Sequence, residues 1–152
     1  MQWIENVSKD HANRGIHYDT CGKGVLISIT DPCSSEVQPV HKFQEIHRFE
    51  FLDTEDPEDE FGITDEQAAS IASILRAAYE SGQNVVVNCH AGISRSSAVV
   101  ECGLVIGFSE ICKPRLPNLL VKQKIFSALG MNYDPTVDIN KRNAILGQSE
   151  WD

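Results

Sequence analysis

The densest chemistry in the sequence lies in thirteen consecutive residues: Val85-Val86-Val87-Asn88-Cys89-His90-Ala91-Gly92-Ile93-Ser94-Arg95-Ser96-Ser97. Three valines in a row read as a buried parallel strand. A loop of small residues follows, and a helix starts at about Arg95. A strand-loop-helix junction of this kind binds anions. Its successive backbone N–H groups can converge, and the helix N-terminus adds about half a positive charge. Gly92 permits the backbone conformation that such a cradle needs. Arg95 supplies a rigid fork of donors matched to two phosphate oxygens. Cys89 sits at the floor, where the donors that hold an anion also stabilise a thiolate. An ordinary thiol, with a pKa near 8.5, is only about 3 % ionised at pH 7. A helix N-terminus with cationic neighbours brings such a group to roughly 3.5–7.5. Nucleophile, oxyanion cradle and charge clamp then fall within seven residues, poised for attack on phosphorus. Taken singly, Cys89 reads as a buried cysteine and Arg95 as a surface charge. The joined pattern of strand, Cys-x5-Arg, glycine and helix is what marks a phosphate site.

The segment from Cys89 to Ser96 resembles the signature of the cysteine-dependent protein tyrosine phosphatases. Its Ala91-Gly92-Ile93-Ser94-Arg95-Ser96 core is most similar to the small dual-specificity branch, which includes viral and phage members. Arg115-Leu116-Pro117-Asn118 ahead of a helix is similar to that branch's Arg-Pro…Pro-Asn segment. Phe49-Glu50-Phe51-Leu52-Asp53 resembles the strand leading into its general-acid loop. The likeness covers residues 25–129. It implies that Cys89 is the nucleophile and forms a phosphocysteine, and that Arg95 binds phosphate and stabilises the transition state. The amides of His90, Ala91, Gly92, Ile93, Ser94 and Arg95 would hold the equatorial oxygens, and the Ser96 hydroxyl would donate to the departing sulfur. No metal and no cofactor are implied, because the cradle supplies the positive charge. The family usually places His before the nucleophile. This chain has Asn88 there.

A phosphoester also needs a proton for its leaving oxygen, so a carboxylic acid should stand above the cradle. Six acids crowd eight residues: Asp53, Glu55, Asp56, Glu58, Asp59 and Glu60. Most of such a run is a solvated, mobile loop. Asp53 directly follows a strand anchored by Phe49 and Phe51, which can position it, so Asp53 is assigned as the acid. Asp56, 33 residues before Cys89, is closer to the family's usual spacing and is the rival. Within the helix after the loop, Glu101 either faces solvent or pairs with a cation inside. Lys113, Arg115, Lys122 and Lys124 read as a solvated helix face in preference to a cationic rim. Cys21, Cys33, His41 and His47 match no metal spacing and read as scattered surface and core residues. Trp3 and Trp151 read as docking residues for the two ends.

The elements that must position this chemistry are legible. Residues 3–7, 25–30, 45–52 and 85–87 read as strands. Thr64-x-x-Gln67 is a capping box. It opens a helix whose Ile71, Ile74, Leu75 and Ala78 share a face, with Gly82 just past its end. Residues 98–108 and 119–129 read as helices, and a last one lies between 135 and 146. Strands alternating with helices predict an α/β fold, a central mainly parallel sheet flanked by helices, as in the protein tyrosine phosphatases. The chain has 152 residues, 41 % hydrophobic and 23 % charged, which fits one globular phosphatase domain over 1–152. A net charge of -9 argues against coating a nucleic acid. No apolar run is long enough to span a membrane, and residues 1–5 carry no secretory pattern. Five cysteines without CxxC pairing fit free thiols in a reducing cytoplasm, the host's for a viral or phage member. The function implied is hydrolysis of phosphotyrosine, and of phosphoserine or phosphothreonine, on a protein substrate. Two alternatives are a phosphatase for RNA 5′-phosphates or phosphoinositides and a phosphate-binding module without turnover.

Overall fold

The computed structural model describes residues 2–17 and 22–151, with side-chain surroundings described as far as residue 147. Its elements are β1 (Trp3–Val7), α1 (Lys9–Arg14), β2 (Val25–Thr30), β3 (Glu45–Glu50), α2 (Asp65–Glu80), β4 (Val85–Asn88), α3 (Arg95–Ile106), β5 (Ser109–Glu110), α4 (Leu119–Ala128) and α5 (Thr136–Trp151). The strands form one five-stranded sheet, β3-β2-β4-β1-β5, and every pairing is parallel.

The inner strands β2 and β4 are buried on both faces. Val25 lies beside Val85 and Ile27 beside Val87, on the side covered by α2, α3 and α4. Leu26 pairs with Val86 on the opposite side, in a smaller cluster with Val7, Ala12 and Val37. Near-continuous apolar strands are what a doubly covered parallel sheet requires. β1 enters between β4 and β5, so Val7 and Asn88 end side by side. The residues that follow them meet at the carboxyl edge of the sheet, where open α/β sheets place their ligands.

α2 begins as read. The Thr64 hydroxyl accepts from the Gln67 amide, and the Gln67 side chain accepts from the Thr64 amide. Gly82 takes a positive φ of 72° just after the helix, the left-handed turn that glycine adopts without a Cβ penalty. Other boundaries differ. The strand over 45–52 stops at Glu50, because Leu52 turns its amide to the Phe61 carbonyl. The helix after the loop starts at Arg95, as read, but stops at Ile106 instead of Phe108, where Gly107 takes a φ of 138°. The last helix continues to Trp151. The sequence pattern missed two short elements. α1 is held by the Ser8 hydroxyl, which accepts from the His11 amide, and by burial of Ala12. β5 has two residues and leans on β1.

The cations between 113 and 124 are not a solvated face. Lys122 is buried between Glu101 and Asp138, at 2.7 Å from each. Arg115 is paired with Glu101 at 3.2 Å and also with Glu110. Lys113 pairs with Glu5, and Lys124 reaches Asp65 at 3.1 Å. Glu101 therefore faces inward and joins α3 to α4. Burial alone would lower the Lys122 ammonium, but its bonds to Asp138 and Glu101 outweigh that and hold it above the ordinary lysine value. Trp3 is half-buried against the smaller cluster. The Trp151 side chain and Cys21 lie outside the described residues.

Candidate active site

β4 delivers Asn88 and Cys89 to the sheet edge, and α3 begins six residues later at Arg95. Between them the backbone is fixed from outside. The His90 carbonyl accepts from the Lys9 amide at 3.0 Å, and the Gly92 carbonyl accepts from Asn6 Nδ2 at 2.8 Å. The Ile93 carbonyl accepts from the Leu116 amide at 3.0 Å. The Ser94 carbonyl accepts from the amides of Asn118 at 3.1 Å and Ala98 at 3.2 Å. Every peptide bond among the described residues is trans, so each amide points opposite to the carbonyl of the residue before it. The N–H groups of Ala91, Ile93, Ser94 and Arg95 therefore aim away from the elements that bind those carbonyls. Among the described residues, no acceptor takes any amide from His90 to Arg95. The loop is a concave set of uncommitted donors at a helix N-terminus, which is an anion cradle.

Gly92 carries the sharpest constraint. Its φ is +77°, and a Cβ built there would lie 2.5 Å from the Ser8 amide nitrogen and 2.7 Å from the Val7 carbonyl. The corner between β1 and α1 thus packs directly on the loop. A cavity of about 300 Å³ opens beside this contact, lined by Val7, His11, Ala91, Gly92, Lys113 and Pro114 among others.

Cys89 is buried, with Sγ 3.2 Å from the Ser96 hydroxyl. Arg95 is 4 % exposed. Its Nη1 donates to Asp31 Oδ1 and to the Phe51 carbonyl, both at 2.7 Å. Its Nε is buried with no partner among the described residues. One end of the fork is anchored and a second donor remains unspent. Asn88 is fully buried, and neither polar atom of its side chain has a partner among the described residues. Its register neighbour on β2, Ser28, also has an unpartnered hydroxyl.

The acidic run divides by role. Asp53 Oδ1 accepts from the Ser94 hydroxyl at 2.9 Å and from Asn118 Nδ2 at 2.8 Å, so this carboxylate touches the cradle itself. Asp56 Oδ1 accepts from the Glu58 amide, and Asp59 Oδ1 from the Phe61 amide. Those two carboxylates fold their own loop as Asx turns, so the run is internally stapled and not merely a solvated tether. Glu55 is paired with Arg142. That ion pair and the Leu119 amide hold its carboxyl below the usual glutamate value.

The structure brings Cys89, Arg95, Ser96 and Asp53 to one edge. Sequence reasoning missed Asp31, Asn118 and Arg142. The sequence carried a signal for the second, because Asn118 lies within the Arg-Leu-Pro-Asn segment. The other two act over long separations and had none. His41 is buried beside His17 and Phe43, while His47 is half-buried on β3 and bonds Glu45. Among the described residues, no three His, Cys, Asp or Glu side chains are arranged to hold a metal ion. No described helix is long and apolar enough to cross a membrane. A second cavity of about 650 Å³, lined by Ala69, Leu120, Gln123, Lys124 and Tyr133 among others, includes neither Cys89 nor Arg95.

No protein-family model matches the sequence, and no curated protein matches it. Solved structures do. Human DUSP28 aligns over 96 % of this chain and 94 % of its own, at 16 % identity and a TM-score of 0.47. The human tyrosine phosphatase-like serine/threonine/tyrosine-interacting protein aligns over 82 % of this chain and 79 % of its own, at 17 % identity and a TM-score of 0.44.

Proposed function

We propose that this chain is a cysteine-dependent phosphatase acting on phosphorylated protein side chains, phosphotyrosine first and phosphoserine or phosphothreonine with it. The observation that carries this reading is the loop itself. Its carbonyls are pinned outward, its amides are uncommitted, and a buried thiol lies beneath them.

The phosphate dianion sits on the amides of residues 90–95 and takes the free Nε of Arg95. The Cys89 thiolate attacks phosphorus as the ester P–O bond breaks, and Asp53 gives its proton to the leaving oxygen. Water then attacks the phosphocysteine and returns its proton to Asp53. The P–S bond breaks, and the sulfur departs as a thiolate stabilised by the Ser96 hydroxyl. Inorganic phosphate is released, and every step uses positioned groups with charge stabilisation by fixed donors.

Asn88 favours a second reading, a phosphate-binding module with little turnover, because a buried unbonded amide supports the loop less firmly than a bonded side chain. Polyanionic substrates such as RNA ends or inositol lipids fit poorly beside the exposed acids at 56, 58 and 60. The deciding experiment is turnover of p-nitrophenyl phosphate by the wild type and by Cys89→Ser. Turnover that vanishes in Cys89→Ser, with vanadate binding retained, supports the enzyme. Absence of turnover in the wild type, with vanadate still bound, selects the binding module. Turnover in Cys89→Ser within tenfold of wild type overturns the mechanism.

A further inference from the structure

We propose that Arg142 on α5, through Glu55, is a positioning residue that holds the Asp53 loop over the cradle. The proposal rests on the phosphatase reading above and deepens it.

Arg142 makes a bidentate pair with Glu55. Nη1 donates to Oε1 and Nη2 to Oε2, both at 2.8 Å. Nη2 also donates to the Pro117 carbonyl at 2.8 Å. Glu55 Oε2 further accepts from the Leu119 amide at 2.7 Å, at the N-terminus of α4, where a carboxylate is favoured. Next to this, Asn118 Nδ2 donates to Asp53 Oδ1 at 2.8 Å and to the Thr54 carbonyl at 3.0 Å. Three consecutive residues of the acid loop are thus tied to the start of α4, and the outermost tie is clasped by α5. Parallel fork bonds fix orientation as well as distance.

α5 itself is held mainly by polar contacts. Val137, Ile139, Ile145 and Leu146 are all more than 40 % exposed. Asp138, one turn before Arg142, receives Lys122 at 2.7 Å and the Tyr133 hydroxyl. Residues four apart share a helix face, so α5 presents Asp138 to the Glu101–Lys122 pair and Arg142 to the acid loop. Loss of Arg142 therefore loosens the outermost of these ties, while the cradle keeps its own bonds from Asn6, Lys9, Leu116 and Asn118.

The test compares wild type, Arg142→Gln, Arg142→Lys, Glu55→Gln and Asp53→Asn on two substrates. Phenyl phosphate needs a protonated leaving group, and 2,4-dinitrophenyl phosphate does not. Arg142→Gln and Glu55→Gln should each lower kcat on phenyl phosphate on the order of tenfold, a part of the roughly 100-fold or more that general acid catalysis supplies. They should leave kcat/KM for the dinitrophenyl ester within about twofold, since that constant ends at phosphocysteine formation and leaves out the later step in which Asp53 takes the proton of water. A variant that combines Arg142→Gln with Glu55→Gln should be no worse than either single one. Arg142→Lys should fall between, because a point charge cannot make both bonds. Amide hydrogen exchange over residues 53–62 should speed up in Arg142→Gln while that of β4 stays unchanged. Unchanged exchange in Arg142→Gln overturns the latch. Faster exchange with no leaving-group dependence, while Asp53→Asn shows one, overturns the positioning role alone. If Asp53→Asn shows none, the general-acid assignment itself falls and the positioning role goes with it.

Discussion

Replacing Gly92 by alanine should damage both the fold and the site, and the structure sets the size of each effect. The left-handed backbone there, φ +77°, is disfavoured for an L-residue by roughly 1–2 kcal/mol. The new Cβ would stand 2.5 Å from the Ser8 nitrogen, against an ordinary contact of about 3.5 Å. The β1–α1 corner must therefore retreat by about 1 Å. That stretches the Lys9–His90 bond, now 3.0 Å, and the Asn6–Gly92 bond, now 2.8 Å, out of range. Each is worth about 1 kcal/mol. The expected loss is about 3–4 kcal/mol in urea unfolding. A displacement of this size should also lower kcat for an aryl phosphate about 100-fold. Gly82→Ala is the control. That residue has φ +72° but open space around it, so it should lose only the conformational part, about 1–2 kcal/mol, with unchanged turnover. A Gly92→Ala protein within 1 kcal/mol of wild type and within threefold in kcat would refute the packing argument.

Three further outcomes are expected. Asp31→Ala should lower kcat by about tenfold by unanchoring Arg95, yet tighten vanadate binding because a carboxylate leaves the neighbourhood of a bound anion; unchanged kcat and vanadate affinity would contradict this. Asp53→Asn should remove the alkaline limb of the pH–rate profile and slow phenyl phosphate more than an activated ester, while Asp56→Asn should change neither, and the reverse pattern would move the acid three residues along the chain. His17 is held at a pKa of about 4 by burial, with the nearby His11, His41 and Lys113 adding to the effect and Glu5 opposing it. The unfolded chain then binds a proton that the fold refuses, so stability should fall as pH drops from about 6.5 to about 4, by up to about 3 kcal/mol. Urea midpoints at pH 7 and pH 4.5 should show a smaller difference in His17→Phe than in wild type.

Local chemistry was readable where it was local. β2 occupies the apolar run 25–30, and the Thr64–Gln67 cap forms as its spacing demands. The loop after β4 was recognisable because nucleophile, glycine and arginine are neighbours in sequence. What escaped depended on partners brought from afar. Asp31 reaches Arg95 across 64 residues, and Glu55 reaches Arg142 across 87. No periodicity records such pairs. The cations at 115 and 122 were misread for the same reason. Each looks solvated until Glu101, on α3, is placed beside it. α1 was invisible because six residues with one buried alanine leave no amphipathic trace.

The place of β1 in the sheet dictates when the cradle can be complete. β1 pairs only with β4 and β5, among the described strands. This strand must therefore wait for residues about 80 positions later, a closure that slows folding far more than pairing of neighbours such as β2 and β3. When β1 finally docks, the same event seats Lys9 and Asn6 on the His90 and Gly92 carbonyls. Completing the sheet and turning the Ala91 and Ile93 amides inward are one step, so a half-folded chain carries the thiol with only part of its anion site.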